Sequence, residues 1–394
     1  MFRVFYEKKG DVSLMKRICF LCVIMSLLLF IAGCWDQDLL KDARLIYGGG
    51  YDPAPNGKLR VTFVIRDVPS GEQQSPKNDI ITTEGNTPRD ARDHADDQVS
   101  RHIRTYKNRF ILIGEELAKQ DIYPVLEVFY RDPKSSLNAR IGVAQGTAED
   151  ILSLKKVGNV LIAEEIDELI KSKEETTTVP KVTLEKIYPV MLDPGEDFVL
   201  PYLMEQGARV NVSRIAMFHN NKLTGTLSPD ESTMYLLLKG NKGKVTRFTQ
   251  NMSIKGEMST TEENPQIRYD FLTFNVDKLK QKMKVKVQSG DQITVHLKLK
   301  MKVSVIEYPK DRLEKKQVVA ELNKDLSKKM TDLAQKTLEH MQKARCDGLG
   351  IARQLMAFHP RVWKKQKEEW GSNYQKVHFT PVVQVEITKQ GIIN

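Results

Sequence analysis

Cysteine is scarce: the 394 residues hold four, Cys19, Cys22, Cys34 and Cys346. Cys19 and Cys22 form a C-x-x-C, but they lie inside an apolar run from Ile18 to Ile31, where a redox pair has no use. Cys34 closes that run, so Cys346 is left alone. This excludes an intrachain disulfide and a cysteine metal cage. The nearest histidine to Cys346 in sequence is His340, which leaves the thiol a structural reading. The other histidines, His94, His102, His219, His296, His359 and His378, are scattered without a clear metal-ligand spacing. G-x-S-x-G, H-E-x-x-H, P-loop and dinucleotide fingerprints are all missing. No second long apolar run follows the first. The expectation is a body outside the bilayer with no catalytic residues, no metal and no cofactor.

What is present is ordinary for a globular chain: 40% hydrophobic and 28% charged residues, enough for two or three domains with their own cores. The formal net charge is +10. Arg3, Lys8, Lys9, Lys16 and Arg17 against Glu7 and Asp11 put +3 before residue 34, leaving about +7 beyond it. A basic surface suits anionic lipid or nucleic acid. No aromatic-studded basic motif supports nucleic acid, so lipid headgroups are the expected beneficiary.

Lys16 and Arg17 precede the 14-residue run Ile18–Ile31, and small residues follow at Ala32 and Gly33. Charge, short apolar core and small residues are the order of a secretory signal, and the run is short of the roughly 20 residues that span a bilayer. Met15-Lys16-Arg17 also reads as an alternative start. Ile31-Ala32-Gly33-Cys34 resembles a bacterial lipobox. That resemblance implies cleavage before Cys34, an S-diacylglycerol on its thiol and an N-acyl group on its new amino terminus. Two or more acyl chains anchor stably where one does not.

Beyond the anchor, Arg44–Tyr47 and Lys58–Arg66 read as strands, with Gly48-Gly49-Gly50 and Asn56-Gly57 as turn or bulge chemistry. The triple glycine has no Lys-Ser/Thr after it and is not a phosphate loop. Residues 69–87 read as a loop. Thr87-Pro88-Arg89-Asp90 opens a helix expected to reach Arg104. Asp90 with His94, and Asp93 with Asp97, share faces there, and they read as a solvated helix more readily than as a metal site. Strands at 109–114 and 139–144 alternate with helices at 115–120, 122–130 and 147–154, a β-α-β rhythm that implies a mixed sheet. A helix at 159–172, a polar linker at 173–180 and a helix at 182–192 follow.

After Val212 the pattern changes. Asn220-Asn221 marks a hairpin, and Ser228-Pro229-Asp230-Glu231 opens a helix that stops at Gly240. Strands are expected at 244–252, 266–275, 283–287 and 292–306. In the last, Ile293, Val295, Leu297, Leu299 and Met301 alternate with His296, Lys298 and Lys300, so one face is buried and one is wet. A long helix over 310–345 carries Val319, Leu322, Leu326, Met330, Leu333 and Met341 on one stripe, interrupted at Thr337; a face packed on the domain's own sheet explains it. Helices at 351–358 and 360–370 and a strand at 377–387 close the chain. Trp363 and Trp370, seven apart on the penultimate helix, read as core packing.

In order and spacing these pieces resemble the Ger(x)C family of spore germination lipoproteins. The matching residues are Cys34-Trp35-Asp36, Gly49-Gly50-Tyr51-Asp52, Ile113–Ala118, Arg131-Asp132, Ile215–Phe218 with Lys222–Leu227, Asp347-Gly348-Leu349-Gly350, Pro360, Trp363, Trp370 and Val382–Gly391. The stretch Gly371–Tyr374 departs from the usual, more acidic or aromatic segment. Antiparallel strands with a long helix on one face read as α+β, and the resemblance implies a multi-domain fold of mixed α and β elements. A signal occupies 1–33, a mixed α/β N-terminal region 34–205 with a break near 155–180, and a C-terminal domain 206–394 of largely antiparallel sheet with a long packed helix. It further implies a non-catalytic subunit of a nutrient germinant receptor, held through Cys34 on the outer face of the spore inner membrane beside two integral-membrane subunits. The alternative is a solute-binding lipoprotein of a transporter, which would show two similar lobes around a cleft; the two halves here look unlike.

Overall fold

A computed structural model of the chain describes residues 11–31, 43–67, 77–252, 271–309 and 313–389. Two units emerge, residues 1–43 and 44–394. The first is described only by helix α1 (Asp11–Ile31), whose apolar side chains Phe20, Leu21 and Met25 are exposed, as are Cys19 and Cys22. No helix among the described residues is long and apolar enough to cross a membrane.

The second unit begins with a β-meander: β1 (Ala43–Pro53), β2 (Leu59–Asp67) and β3 (Lys77–Gly85). Then come α2 (Pro88–Asp96), β4 (His102–Arg104), β5 (Phe110–Gly114), α3 (Glu115–Ala118), α4 (Tyr123–Arg131), β6 (Arg140–Ala144) and α5 (Ala148–Ser153). A small hairpin, β7 (Lys156–Val157) and β8 (Val160–Leu161), leads into α6 (Ile162–Glu175) and α7 (Leu184–Met191). Strands β9 (Val199–Gln206), β10 (Arg209–His219) and β11 (Lys222–Leu227) follow, then α8 (Pro229–Leu238). The rest is β12 (Arg247–Asn251), β13 (Phe271–Val287), β14 (Ile293–Glu307), α9 (Lys316–Lys343), α10 (Ile351–Phe358), α11 (Pro360–Gln366), α12 (Trp370–Tyr374) and β15 (His378–Lys389).

One sheet runs β11-β10-β9-β6-β5-β1-β2-β3, with β4 also paired to β1. Its centre, β1-β5-β6-β9, is parallel. Parallel strands are covered on both faces and read as continuous apolar runs, and every residue of β5 is buried. Phe110 and Leu112 point to one core with Ile151, Ile166 and Ile170 of α5 and α6. Ile111 and Ile113 point to the other with Ala91, Leu126 and Ile187 of α2, α4 and α7. The expected boundary between residues 205 and 206 falls at the end of β9, next to its turn into β10, and the sheet continues across it.

The second sheet runs β12-β13-β14-β15. Its first two pairings are antiparallel, but β14 and β15 are parallel, joined by the crossover that contains α9. The buried face of α9 is Leu322, Leu326, Met330, Ala334, Leu338 and Met341, and Thr337 completes it. The interruption in the stripe is filled because the Thr337 hydroxyl donates to Leu333 O at 2.8 Å, which satisfies it inside the helix. These side chains share one core with Leu297, Leu299 and Val383 of the sheet and with Phe110 and Leu112 of the first sheet.

Several local expectations are corrected. Gly48, Gly49 and Gly50 lie inside β1 beside a bulge-type register shift at Ile46/Gly48, so of the turn and bulge alternatives it is the turn that does not form. A Cβ on Gly48 would come within 2.0 Å of the Phe110 ring, so the glycine makes room for a neighbour's aromatic. Residues 77–85, within the expected loop, form β3. It is an edge strand whose polar residues hid it, as edges tend to be polar. The helix opened by Thr87 ends at Asp96, not Arg104, although Thr87 Oγ1 caps it from Asp90 N at 3.1 Å as expected. The linker at 173–180 is anchored: Thr177 is buried, and its hydroxyl contacts Thr246 Oγ1 at 2.7 Å and accepts from Gly243 N at 2.8 Å. Residues 266–270 of the expected strand 266–275 lie outside the described residues; from Phe271 it is continuous with the strand expected at 283–287 as one, β13, whose lysine-rich middle masked the alternation. Trp363 and Trp370 lie on separate helices split by a 3₁₀ turn, yet their rings meet edge to face at 5.7 Å.

One close approach gives a direct test. Asp52, buried in β1, accepts from Ala148 N at 2.8 Å and Glu149 N at 3.0 Å, capping α5 from across the sheet. A Cβ on Gly114 would stand 1.9 Å from Asp52 Oδ1. Gly114→Ala is therefore expected to cost about 1–3 kcal/mol by forcing the carboxylate off the helix end. Equilibrium urea unfolding checks it; an unchanged midpoint would show that the sheet yields there freely.

Candidate functional site

Cys34, the lipidation residue expected from the sequence, lies outside the described residues, as do Trp35 and Asp36. Among the described residues no group of three or more His, Cys, Asp or Glu side chains is placed to hold a metal. Asp90 and His94 do meet at 3.7 Å, but His94 Nδ1 lies 2.7 Å from Glu84 O, and the contact is a surface one.

The polar chemistry instead gathers around the break Asp193-Pro194-Gly195-Glu196, where two clefts of about 720 and 670 Å³ lie on either side of Glu196, Asp197 and Phe198. The floor of the second is Asp347, the first residue of the Asp-Gly-Leu-Gly motif. A short loop after α9 delivers it to the start of α10, whose first amides are unpaired within the helix. Asp347 Oδ1 accepts from Ile351 N at 2.8 Å. Its Oδ2 accepts from Ala352 N at 2.7 Å and from the Trp370 indole at 3.1 Å. Burial pushes this carboxyl up to about 8, with Asp197 adding to the effect, while the three N–H donors pull the other way.

Asp197 meets Asp347 through both backbones. Asp197 Oδ2 accepts from Asp347 N at 2.8 Å, and Asp197 N donates to Asp347 O at 3.1 Å. The same carboxylate lies 3.0 Å from His219 Nδ1 at the end of β10. One wall of the cleft is thus a chain of contacts from His219 through Asp197 and Asp347 to Trp370.

Several of the charges lining the first cleft are paired. Arg140 bridges Asp167 at 2.7 Å and Glu174 at 2.9 Å. Lys239 reaches Glu196 Oε1 at 2.5 Å and donates to Gly348 O at 3.0 Å, where the Tyr235 hydroxyl also donates at 3.0 Å. Burial opposes the Lys239 charge, but Tyr235 and Glu196 hold its ammonium above the usual range. Arg353 bonds Asp193 and reaches Glu196 Oε2 at 2.7 Å. Cys346 is fully buried beside this cluster, and burial pushes its thiol well up.

These contacts tie residues 193–198, at the entry to β9, to residues 345–353 and to Trp370. The arrangement clamps two parts of the fold. The structure brings together two motifs legible in sequence, Asp347–Gly350 and Trp370. It adds Asp197, Glu196, His219 and Lys239, which sequence reading did not single out. Asp197 and its partner Asp347 lie 150 residues apart, beyond the reach of any local signal.

Comparison with known proteins places both halves of the chain. The spore germination protein N-terminal domain matches residues 36–204, and the spore germination B3/GerAC-like C-terminal domain matches residues 213–391. Spore germination protein GerQC of Bacillus cereus is 21% identical over 373 residues, covering 94% of this chain and 98% of that protein. Spore germination protein KC of Bacillus subtilis (strain 168) is 24% identical over 392 residues, covering 91% and 92%. The crystal structure of the GerBC protein aligns with a TM-score of 0.56 at 18% identity, covering 87% of this chain and 97% of that one. That likeness establishes a shared fold.

Proposed function

Because the chain belongs to the Ger(x)C family of spore germination proteins, we propose that it is a lipid-anchored, non-catalytic subunit of a spore nutrient germinant receptor. In this reading Cys34 carries the diacylglycerol and N-acyl groups, and α1 belongs to the leader removed before it. The body, with N-terminal region 34–205 and C-terminal domain 206–394, stands on the outer face of the spore inner membrane beside two integral-membrane subunits.

The observation that carries the reading is coverage with order. The N-terminal match begins at residue 36, two positions after the lipobox cysteine, and the C-terminal match runs to residue 391. The described part of the charged junction supports a role by contact. Its carboxylates are occupied by amides, an indole, an imidazole or a cation, an arrangement that fixes geometry. A protein that works by touching neighbours needs a body of fixed shape more than a reactive group.

Affinity capture of the tagged chain from detergent-extracted spore membranes is expected to recover two integral-membrane germination subunits. Deletion of its gene is expected to abolish the response to one nutrient class while leaving the others intact. Capture without those partners, or a deletion strain that germinates normally with every nutrient, overturns the proposal. In the transporter alternative, the same capture returns a permease and calorimetry shows tight solute binding by the isolated body.

A further inference from the structure

The outer face of the second sheet is a lysine field. On β13, Lys278, Lys280, Lys282, Lys284 and Lys286 are all exposed; on β14, so are Lys298, Lys300 and Lys302. The register sets them against one another: Lys278 faces Lys302, Lys280 faces Lys300, and Lys282 faces Lys298. Like charges directly opposite on a sheet destabilise it. Little offsets them. Among the described residues of this face the carboxylates are Asp277, bonded to Ser304, Glu386, which lies 3.3 Å from Lys302, and Glu307 at the far end of β14, opposite Thr273. The β15 partners of Lys298 and Lys300 are Val382 and Gln384, which bring no negative charge.

Two ordinary explanations fit poorly. Lysines guard sheet edges against unwanted pairing, and β13 is paired with β12 only over 271–275, but edge protection does not account for the β14 row, whose strand is paired on both sides along Lys298, Lys300 and Lys302. A merely wet face would mix signs and relieve the repulsion, as the exposed side of α9 does with Glu321, Asp325, Asp332 and Glu339 among its lysines.

The geometry points to a docking face for an anionic phospholipid bilayer. Alternate residues of a strand are about 6.5 Å apart and neighbouring strands about 4.8 Å. The eight lysines therefore form two parallel rows, a planar array roughly 25 Å long. A single small anion engages a few such charges; a plane of phosphodiester headgroups engages them all. The residue type agrees. Lysine is a flexible point charge without the bidentate fork of arginine, and no Phe, Tyr or Trp stands among these rows to stack a base, as single-stranded nucleic acid sites require; the one imidazole, His296, is held by Thr380 at 2.6 Å. Near an anionic leaflet each lysine favours the bound state by roughly fivefold, and the effect fades within a Debye length of the surface. The array would orient the body against the bilayer whether or not Cys34 is acylated.

The test is a lysine footprint on the full chain bound to vesicles. On phosphatidylcholine vesicles containing phosphatidylglycerol at low salt, amine acylation at Lys280, Lys282, Lys298 and Lys300 is expected to slow several-fold relative to pure phosphatidylcholine. It should recover in 1 M salt, while Lys244 and Lys336, on other elements, react equally on both. A variant with Lys280, Lys282, Lys298 and Lys300 all changed to Gln should lose the difference at the remaining Lys278 and Lys284. Its unfolding midpoint should hold or rise, since repulsion has been removed. Equal labelling on the two vesicles, protection by an oligonucleotide but not by anionic lipid, or a lower midpoint in the variant overturns the inference.

Discussion

Replacing Asp347 with alanine is expected to lower the unfolding free energy by about 3–5 kcal/mol, the range for leaving several buried donors or a buried charge partner unmade. The change removes the acceptor for Ile351 N, Ala352 N and the Trp370 indole at once. At 1% exposure, water cannot replace it without opening the cleft. The loss should be visible in urea unfolding. Tryptophan emission should shift to the red as Trp370 leaves its pocket, and protease should cut sooner within residues 345–372. A variant with unchanged stability and unchanged emission would show that the junction is decoration.

The same residue predicts a pH dependence. Its carboxyl, ordinarily near 3.8, is raised by burial to about 8 in the folded protein. Between those values the folded chain holds a proton that the unfolded chain has released. Folded protein then binds more protons than unfolded, so this group's contribution is full at low pH and falls as pH rises through the window. Asp347→Ala removes that slope. Wild type should lose stability from pH 5 to pH 8 more steeply than the variant; parallel curves would refute the assignment.

Cys34→Ala is expected to have the larger effect on location. With the thiol gone, no diacylglycerol can be attached, and the mature peptide beginning at residue 34 with its acyl mass should vanish. No described helix is long and apolar enough to cross a bilayer as a substitute. Carbonate-resistant retention should therefore fall more than tenfold while the body stays folded by circular dichroism. Two acyl chains hold stably where one gives only reversible binding, and the variant has neither. Mass spectrometry and membrane fractionation decide it. Full retention after carbonate washing would mean that something other than acylation holds the protein.

Elements with local signals were legible in the sequence. Thr87 caps its helix, and Glu231 Oε2 accepts from Ser228 N at 3.0 Å, the reciprocal bond of a capping box. Asn220 and Asn221 turn a hairpin with φ of 50° and 61°. The α9 stripe packs on its own sheet. Where the reading slipped, a neighbour outweighed the local preference. Gly48–Gly50 became strand because β2 and β5 pair on both sides of them. Polar residues 77–85 became strand because β2 offered a free edge. Thr177 was buried because residues 243–246 folded back over it.

Lys16 and Arg17 ahead of the apolar run, that run before Cys34, the turn and cap positions and the alternation of β14 belong to the sequence by itself. Each depends on dihedral preference or periodicity within a few residues, and no distant partner is needed to express it. Only the tertiary structure decided that Asp197, His219, Asp347 and Trp370 would share one wall. It alone set lysine opposite lysine across β13 and β14, and laid β15 parallel to β14. Those outcomes depend on strand register and on hydrogen bonds between residues far apart in the chain, which form only when the apolar cores on both sides of the first sheet and under one face of the second have closed.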